Sequence, residues 1–286
     1  MDKNIVSLQE YKNSLPYFHI HKVSGICKAQ QNHMHDYFQI YFVLKGVLLH
    51  RTQYGEDTLS YGNAFIIPPR FEHGISYKTS WCEFYSCSFT KSFVLQIMER
   101  QPLCAEFIKK IMEGGEENVL RKVFLNAKEQ IHIRNVLELM IDEYEEREYN
   151  FSEVIQNGLL CVISIMAKAY KRSENNDSDT LNPIGDSIEY IAEHYMDNLN
   201  IEKIAKKVYL RRNTFCKLFR EATTFTFNEY LNKVRIEKAL ELIQQNELSL
   251  RLEEIAIKIG YTNYVTFYRN FIEVVGMTPK KYLESL

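Results

Sequence analysis

The stretch that decides the fold is LNIEKIAKKVYLRRNTFCKLFREATTFTFNEY at residues 199–230, because it recurs in altered form as LRLEEIAIKIGYTNYVTFYRNFIEVVGMTPKKY at residues 250–282. Each copy has the apolar spacing of a short helix, a tight turn and a second helix. The apolar positions coincide at an offset of 51 residues in the first helix and 52 in the second: Ile204 with Ile255, Ala205 with Ala256, Val208 with Ile259, Phe215 with Phe267, Phe219 with Phe271, and Tyr230 with Tyr282. That arrangement is typical of a helix-turn-helix unit, whose second helix lies in the major groove of DNA.

The segment between the two copies adds a geometric argument. One helix pair alone would be weak evidence, since helical hairpins are common, but a capping box from Thr226 to Glu229 predicts that a connecting helix begins there. That helix continues to about Gln245, and roughly 20 helical residues span about 30 Å. The two recognition helices would then lie about 34 Å, one DNA turn, apart. One chain is therefore predicted to read two successive major-groove segments.

The N-terminal part has a different pattern, in which short β-branched and aromatic runs alternate with Gly and Pro. These runs predict the strands of a small barrel or sandwich, at Tyr17–Val23, Phe38–Leu44, Gly46–Thr52, Ala64–Ile67 and Cys82–Phe89. Helical spacing follows, at Ser92–Glu99, Cys104–Met112, Glu129–Arg147 and Ser152–Tyr170. The polar, aperiodic residues 172–183 are predicted to be a linker.

Charge and cysteine content narrow the class of protein. The net charge is −2, and residues 184–286 carry 15 Lys or Arg against 14 Asp or Glu, so any DNA-binding face must be locally basic. The six cysteines are scattered without a Cys-x-x-Cys pair, which fits a reducing compartment. The first residues have no apolar signal core, and no stretch approaches the roughly 20 apolar residues that span a bilayer. We therefore expect a cytoplasmic protein with no membrane partner.

The repeat, read with its connector, resembles a known family. Residues 185–286 are similar to the tandem helix-turn-helix domain of the AraC/XylS family of bacterial transcription regulators, through IEKIAKKV, LFRE, FNEYLNKVRIEKALELI, EEIAIKIGY, TFYRNF and GMTPKKY. Residues 17–90 resemble the family's cupin-like effector-binding domain, where HMHDYFQIYFVLKG and GNAFIIPPRFEHGI occupy the positions of the two cupin motifs. The resemblance implies an α+β chain, with an N-terminal cupin-like β-barrel and flanking helices and then an all-α DNA-binding domain with two helix-turn-helix units.

The resemblance also sets the expected domain boundaries. Residues 1–171 would form the effector-binding and dimerisation domain, with the barrel at about 15–90 and the helices at 92–171. Residues 172–183 would be the linker, and residues 184–286 the DNA-binding domain. The helices at 129–170 offer two open interpretations, packing on the barrel or pairing with a second copy.

Carried over by position, the resemblance assigns the groove-facing residues. The first recognition helix would be Arg211–Glu221, with Phe215, Leu218 and Phe219 in the core, and the second would be Asn263–Glu273. The candidate DNA-binding residues are Arg211, Arg212, Asn213, Cys216, Lys217, Arg220, Asn263, Tyr264, Tyr268 and Arg269. Arg and Lys suit guanine or phosphate, and Asn suits adenine. Arg235, in the connecting helix, would form either a family-specific contact or an ion pair with a nearby Glu.

Two departures from the family pattern involve three positions. The family usually has Gly where this chain has Thr224, opposite Gly276 in the second copy. A β-branched residue is poor in a left-handed cap, so that corner is either strained or built differently. Ile272 and Glu273 lie where the family usually has lysines. We therefore expect the first unit to contribute more of the electrostatic affinity for DNA.

The stretch NHMHDYFQIYFVLKG at residues 32–46 carries the candidate effector site. Strand alternation places five polar or aromatic side chains on one face, and the second motif adds His73. The candidate effector-binding residues are His33, His35, Tyr37, Gln39, Tyr41 and His73. Metal-binding cupins have a carboxylate where this chain has Gln39, so a metal held by His33, His35 and His73 is a minority hypothesis.

These observations together predict a function. The chain would be a ligand-responsive, sequence-specific DNA-binding regulator and not an enzyme, with no cofactor. It would act as an activator sensing a small molecule such as a sugar, and its partners would be double-stranded DNA, RNA polymerase and a second copy of itself. The alternative is a cupin-type metal-dependent sensor or enzyme. Structural histidines without a ligand remain a third interpretation, more readily for His19, His21 and His50.

Overall fold

The chain forms two compact units, Met1–Gly185 and Asp186–Leu286. The computed structural model describes residues 5–11, 14–26, 30–53, 55–79, 81–99, 101–113, 122–175, 182–244 and 251–285. The second compact unit begins two residues after residue 184, the predicted start of the DNA-binding domain. The first unit combines sheets with helices, and the second is helical, which confirms the predicted fold class.

The first unit is built on two antiparallel sheets. Its strands are β1 (Ile5–Val6), β2 (Phe18–Ile26), β3 (Met34–His35), β4 (Phe38–Lys45), β5 (Leu48–Thr52), β6 (Gly55–Leu59), β7 (Asn63–Ile67), β8 (His73–Tyr77), β9 (Trp81–Phe89) and β10 (Lys122–Phe124). Five strands pair in the order β10-β7-β4-β9-β2 and three in the order β6-β5-β8, while β1 pairs with β3 in parallel. The five predicted runs all lie in these sheets, but β1, β3, β6, β8 and β10 were not predicted.

Strand β4 shows why the sheets stack as they do. Its residues Phe38, Ile40 and Phe42 pack with the helices on one side of the five-stranded sheet. Tyr41 and Val43 point to the opposite side, where they meet the three-stranded sheet. The predicted alternation along this strand is confirmed, and the unit therefore has three layers: a small sheet, a large sheet and helices.

The helical layer of the first unit consists of α1 (Lys91–Met98), α2 (Pro102–Glu113), α3 (Ala127–Glu146) and α4 (Phe151–Asn175). The buried stripe of α3 follows Ile133, Leu137, Met140 and Tyr144, whereas Ile131 and Leu139 are exposed. The spacing in the sequence predicts a stripe through Ile131, Val136, Leu139, Met140 and Tyr144, and this prediction was partly wrong, because the helical period starts from Ile133 rather than Ile131.

Helix α4 continues four residues into the segment that the sequence assigned to the linker. Arg172 donates hydrogen bonds to both carboxylate oxygens of Glu129, at 2.6 and 2.9 Å, so it ties α4 to the start of α3. Residues 176–181 of the predicted linker lie outside the described part of the chain. Pro183 then begins the next helix.

By length and composition alone, the Phe151–Ser173 part of α4 is apolar enough to cross a membrane. This differs from the expectation that no stretch approaches such a length. Core helices pass the same test, and Ile155, Leu159 and Ile163 of α4 are fully buried in the main hydrophobic cluster of the first unit. The apolar composition of α4 is therefore explained by core packing.

The second unit contains the predicted tandem units. Its helices are α5 (Pro183–His194), α6 (Ile201–Lys207), α7 (Arg212–Thr223), α8 (Phe227–Gln244), α9 (Leu252–Lys258), α10 (Tyr264–Val275) and α11 (Pro279–Glu284). The connecting helix α8 has 18 residues. It therefore spans about 27 Å. Gln245, its predicted last residue, lies just outside the described range. In the core, Phe215 and Phe219 of α7 and Phe267 and Phe271 of α10 are fully buried.

The two helix-turn-helix units have different residues at their left-handed backbone positions. After α7 the chain passes through Thr224 at φ 66°, whereas after α10 it passes through Gly276 at φ 81°. Between α6 and α7 the left-handed residue is Tyr209 at φ 56°, and between α9 and α10 it is Gly260 at φ 89°. Thr224 thus adopts the left-handed conformation that its β-branched side chain disfavours, which confirms the strained alternative.

Candidate nucleic-acid interface and effector pocket

The outward face of α7 is polar and basic. The predicted residues Arg212, Asn213, Cys216, Lys217 and Arg220 are all exposed. They are exposed because the helical period that buries Phe215 and Phe219 turns these positions away from the core. Leu218, predicted for the core, is half-buried. Contact between this face and DNA remains a prediction.

Two of the predicted basic residues have local roles. Arg211 is the residue before the first turn of α7, although its side chain makes no capping hydrogen bond. The guanidinium of Arg212 lies 3.2 Å from the Glu202 carboxylate of α6, in an exposed ion pair. Such a pair contributes little stability, so Arg212 can exchange the carboxylate for a DNA phosphate or base at small cost.

The outward face of α10 differs from its prediction at two positions. Asn263 caps the helix, and its side-chain oxygen accepts a hydrogen bond from the Val265 amide at 2.7 Å. Tyr264 is half-buried, with its ring centroid 5.7 Å from that of Phe267. Tyr268 and Arg269 are exposed, as expected of groove-facing residues. The prediction therefore missed the cap, because Asn at a helix start serves either purpose.

Among the described residues, the side chain of Arg235 on α8 pairs with backbone carbonyls and not with a Glu side chain. Its guanidinium donates to the carbonyls of Tyr195 and Asp197, at 2.7 and 2.9 Å, and lies over the ring of Tyr261. The ion-pair interpretation of this residue was therefore wrong. Arg235 joins the loop after α5 to α8 and to the turn between α9 and α10.

The first unit encloses a cavity of about 520 Å³. The strand register explains how part of its wall forms, because Tyr41 on β4 and His21 on β2 both pair with Ser86 on β9. The N-terminal segment contributes Val6, Glu10 and Tyr11. The remaining lining residues are Val23, Gln30, Gln31, His33, Gln39, Tyr77 and Phe84.

Only three of the six predicted effector-binding residues line this cavity: His33, Gln39 and Tyr41. Tyr37 and His35 do not line it; both are buried, and they stack on each other at a centroid distance of 4.3 Å. They are displaced because β3 ends at His35 and a bend precedes β4, so the alternation is interrupted. His73 is also fully buried and does not line the cavity.

His21, Tyr11 and Ser86 line the cavity although they were not predicted from the sequence as pocket residues. Of the histidines given a structural interpretation, His21 faces the cavity, whereas His19 forms a hydrogen bond with the Tyr144 hydroxyl at 2.9 Å. The alternating pattern FHIHKV was a signal for His21, since it places residues 19 and 21 on one face. Only the β2–β9 pairing shows that this face opens into a cavity.

Two buried polar atoms in the cavity wall lack a partner among the described residues. The amide nitrogen of Gln39 donates to the Ser86 hydroxyl at 3.0 Å, but its oxygen, Oε1, accepts no hydrogen bond. Nδ1 of His21 is also unpartnered, and burial lowers the pKa of this histidine, which keeps it neutral. An unpaired buried polar atom is costly, so both atoms are expected to bind a ligand or water.

Four histidines cluster beside the cavity. The ring centroid of His73 lies 4.5 Å from that of His33, 5.0 Å from that of His35 and 5.3 Å from that of His50. Burial, with a contribution from His73, lowers the pKa of His35 to about 3, and burial lowers the pKa of His73 to about 4. The rings of His35 and His73 are therefore neutral at physiological pH.

The cluster does not form a metal site as it stands. Nδ1 of His35 and Nδ1 of His73 each donate to a backbone carbonyl, which fixes their tautomers and leaves Nε2 unprotonated and unpartnered among the described residues. Such nitrogens suit a metal ion. In the part of the chain that the structure describes, however, no three His, Cys, Asp or Glu side chains are arranged to hold one. The metal-dependent alternative therefore gains no support from this geometry.

Comparison with known proteins assigns both halves of the chain. Residues 28–181 match a family model described as the AraC-like ligand binding domain, and residues 204–285 match one described as a helix-turn-helix domain. An HTH-type transcriptional regulator of Bacillus subtilis, YdeC, is 24% identical over 87% of this chain and 84% of its own length. The lactose operon transcription activator of Staphylococcus xylosus is 21% identical over 85% of each chain.

Among solved structures, ToxT of Vibrio cholerae is 13% identical and covers 94% of this chain and 98% of its own, with a TM-score of 0.35 that carries no argument about the fold. The ligand-binding match alone spans more than half of the residues. The chain belongs to the AraC family of helix-turn-helix, DNA-binding transcription regulators.

Proposed function

We propose that this protein is a transcription activator that senses a neutral, polyhydroxylated small molecule, such as a sugar, in the cavity of its first unit. The observation that carries the proposal is the chemistry of the cavity wall. The described lining residues include no Lys or Arg, one carboxylate at Glu10, and several Tyr, His and Gln side chains. Anionic metabolites need a cation, whereas a sugar needs hydrogen bonds and aromatic faces.

The unpartnered atoms sharpen the expected ligand. Gln39 Oε1 is an acceptor, so the ligand should present a donor to it, as a hydroxyl does. The neutral imidazole of His21 offers a second hydrogen bond on the opposite edge of β9. A relative named for the lactose operon supports the same class of effector.

On the DNA side, we propose that α7 and α10 enter successive segments of the major groove. Support comes from the length of α8, about 27 Å, which is close to the length of one DNA turn, about 34 Å. The DNA-binding residues proposed for α7 are Arg211, Arg212, Asn213, Cys216, Lys217 and Arg220. In α10 they are Tyr268 and Arg269, with Asn263 and Tyr264 in capping and packing roles at the start of the helix.

We further propose that the protein is a homodimer that contacts RNA polymerase. Ile131 and Leu139 lie two turns apart on α3 and are about half exposed. Spaced by eight residues, they share one side of the helix. An isologous contact between two α3 helices would cover both residues. By contrast, most of the apolar surface of α4 is already buried within its own unit.

Effector binding would act by shifting a population. A ligand can change transcription only if it binds more tightly to the form that holds two half-sites than to the form that does not. Val6, Glu10 and Tyr11 belong to the N-terminal segment and line the cavity, so a bound effector would contact that segment directly. We propose that this contact couples occupancy of the cavity to DNA binding.

The test is a thermal-shift screen of the full-length protein against neutral sugars, sugar phosphates and sugar acids. A ligand present at 100 times its dissociation constant stabilises the folded unit by about 2.7 kcal/mol. We expect a neutral sugar to give such a shift and Gln39→Leu to remove it. The matched control is Gln156→Leu on α4, outside the cavity. Shifts produced only by phosphates or acids, or retained in Gln39→Leu, would contradict the proposal.

A further inference from the structure

Helix α10 carries an exposed apolar stripe on the side that faces away from the core. Val265 is 73% exposed, Tyr268 38% and Ile272 37%. Their spacing of three and four residues makes them neighbours along one side of the helix. Arg269 lies beside them and is also exposed. A valine left this open to water loses the stabilisation that burial would give, so a covering partner is expected.

The internal repeat identifies which side of α10 this is. With the offset of 52 that aligns Phe215 with Phe267, Val265 occupies the position of Asn213, and Tyr268 that of Cys216. Ile272 likewise occupies the position of Arg220. The stripe therefore lies on the face that is polar and basic in α7, which is the face expected to meet DNA. It is not a misplaced part of the core, because Phe267 and Phe271 already fill the core positions.

We propose that Val265 and Tyr268 read the C5-methyl groups of thymines in the half-site beneath the second helix-turn-helix unit. The inference rests on the proposed placement of α10 in the major groove. In that groove the thymine methyl is the one apolar feature that distinguishes base pairs, and apolar side chains recognise it. Arg269, one turn after Val265, supplies a polar contact to a base or phosphate on the same face.

This assignment makes the two half-sites chemically different. Beneath α7, the exposed Arg212, Asn213 and Lys217 would read bases through hydrogen bonds. Beneath α10, A·T pairs would be selected by contact with their methyl groups, at positions set by Val265 and Tyr268. The operator is therefore asymmetric, and one half tolerates loss of a methyl group much less than the other.

The experiment separates methyl reading from other causes. The full-length protein selects its operator from a random duplex pool, and uracil then replaces thymine in one half-site at a time. Uracil lacks only the methyl group, so we expect about a fourfold weaker Kd for each contacted methyl in the half-site under α10. Val265→Ala should lose only the uracil effect at the methyl that Val265 contacts, whereas Val265→Ala combined with Tyr268→Ala should bind the thymine and uracil operators with nearly equal affinity. The matched control, Asn213→Ala in α7, should keep the full uracil effect.

Two results would overturn the inference. If uracil leaves the wild-type Kd unchanged in both half-sites while Arg269→Ala weakens binding, α10 is in the groove but does not read methyl groups. If neither uracil nor Arg269→Ala has an effect, while Lys217→Ala weakens binding, α10 does not meet DNA and its stripe faces a protein. In that second case the proposed placement of α10 fails as well. Val265→Ala removes exposed atoms only, and its circular dichroism should match wild type.

Discussion

The two helix-turn-helix units share a core and differ in almost everything outside it. Residues 201–223 of the first unit contain seven basic and two acidic residues, whereas residues 252–275 of the second contain two basic and three acidic residues. Their buried aromatic pairs, Phe215 with Phe219 and Phe267 with Phe271, are equivalent. The fold therefore depends on the repeated core positions, and the outward positions are free to specialise. From that division we propose an electrostatic role for the first helix-turn-helix unit and a methyl-reading role for the second.

The two helix-turn-helix units also differ in the residues at their left-handed backbone positions. The second unit places Gly260 and Gly276 at its two left-handed positions, where glycine fits without strain. The first unit places Tyr209 and Thr224 there, and each pays a steric cost of about 1–2 kcal/mol. The basic unit is thus the more strained of the two.

The largest effect should come from removing the basic face of α7. We expect Arg212→Ala combined with Lys217→Ala to weaken operator binding about 10²–10³-fold, because each good contact contributes about 1–3 kcal/mol. Fluorescence anisotropy at fixed salt measures the affinity. The charge-matched control, Lys280→Ala combined with Lys281→Ala on α11, should bind like wild type. Wild-type binding by both single variants in a gel-shift series would show that the groove assignment is wrong.

Substitution of Gly260, between α9 and α10 of the second helix-turn-helix unit, should give the next largest effect, a loss of stability. A Cβ at Gly260 would lie 2.5 Å from the Met196 carbonyl oxygen, and the residue has φ 89°. We expect Gly260→Ala to destabilise the second unit by about 2–4 kcal/mol, from strain and overpacking together. The reciprocal change, Tyr209→Gly, should stabilise the first unit by about 0.5–1 kcal/mol. Hydrogen exchange of the α7 and α10 amides measures each unit separately. Equal protection in Gly260→Ala and wild type would contradict the argument.

An exchange of one outward residue should make the two recognition helices more alike. Ile272→Arg copies Arg220 onto α10, and we expect about 3–10-fold tighter DNA binding at low salt, with a salt dependence steeper by about one counterion. The reverse change, Arg220→Ile, should weaken binding by a similar factor and flatten the slope. Titrations at several salt concentrations test both. Tighter binding with an unchanged slope would mean that the new arginine reads a base rather than a phosphate.

The smallest effect concerns the cap after α7. We expect Thr224→Gly to stabilise the second compact unit by about 0.5–1 kcal/mol, because glycine relieves the left-handed strain at φ 66° but costs some entropy. The matched reverse change, Gly276→Thr, should destabilise it by about 1–2 kcal/mol. Thermal unfolding followed by far-ultraviolet circular dichroism gives both values. A loss of stability in Thr224→Gly would indicate that the hydrogen bond from the Thr224 hydroxyl to the Thr223 carbonyl outweighs the strain.

How much of the fold could be predicted depended on how local each signal was. The tandem units were predictable because a helical core repeats every three or four residues, and Phe215 and Phe219 show that period within a single turn. Strand β4 was predictable by the same logic with a period of two. Strands β6 and β8 were missed because GEDTL and HGISY alternate little, and their strand conformation depends on pairing with β5.

The candidate DNA-binding face and the candidate pocket also differ in how local their sequence signals are. The outward residues of α7 were found because a helix presents its surface at fixed offsets from its core. The pocket was only half found, since His33, Gln39 and Tyr41 lie in one stretch while His21 and Ser86 come from distant strands. Their proximity depends on strand register, which is set by pairing across the whole sheet rather than by neighbouring residues.

By itself, the sequence determined the fold class, the tandem helix-turn-helix repeat and the less basic outward face of its second recognition helix. These features are encoded in short-range periodicity and in the identity of outward residues. Only the tertiary structure decided that Asn263 caps a helix, that Arg235 binds two carbonyls, and that His35 and His73 do not line the cavity. Each of these depends on which backbone groups and strands come together in space, and no local pattern records that.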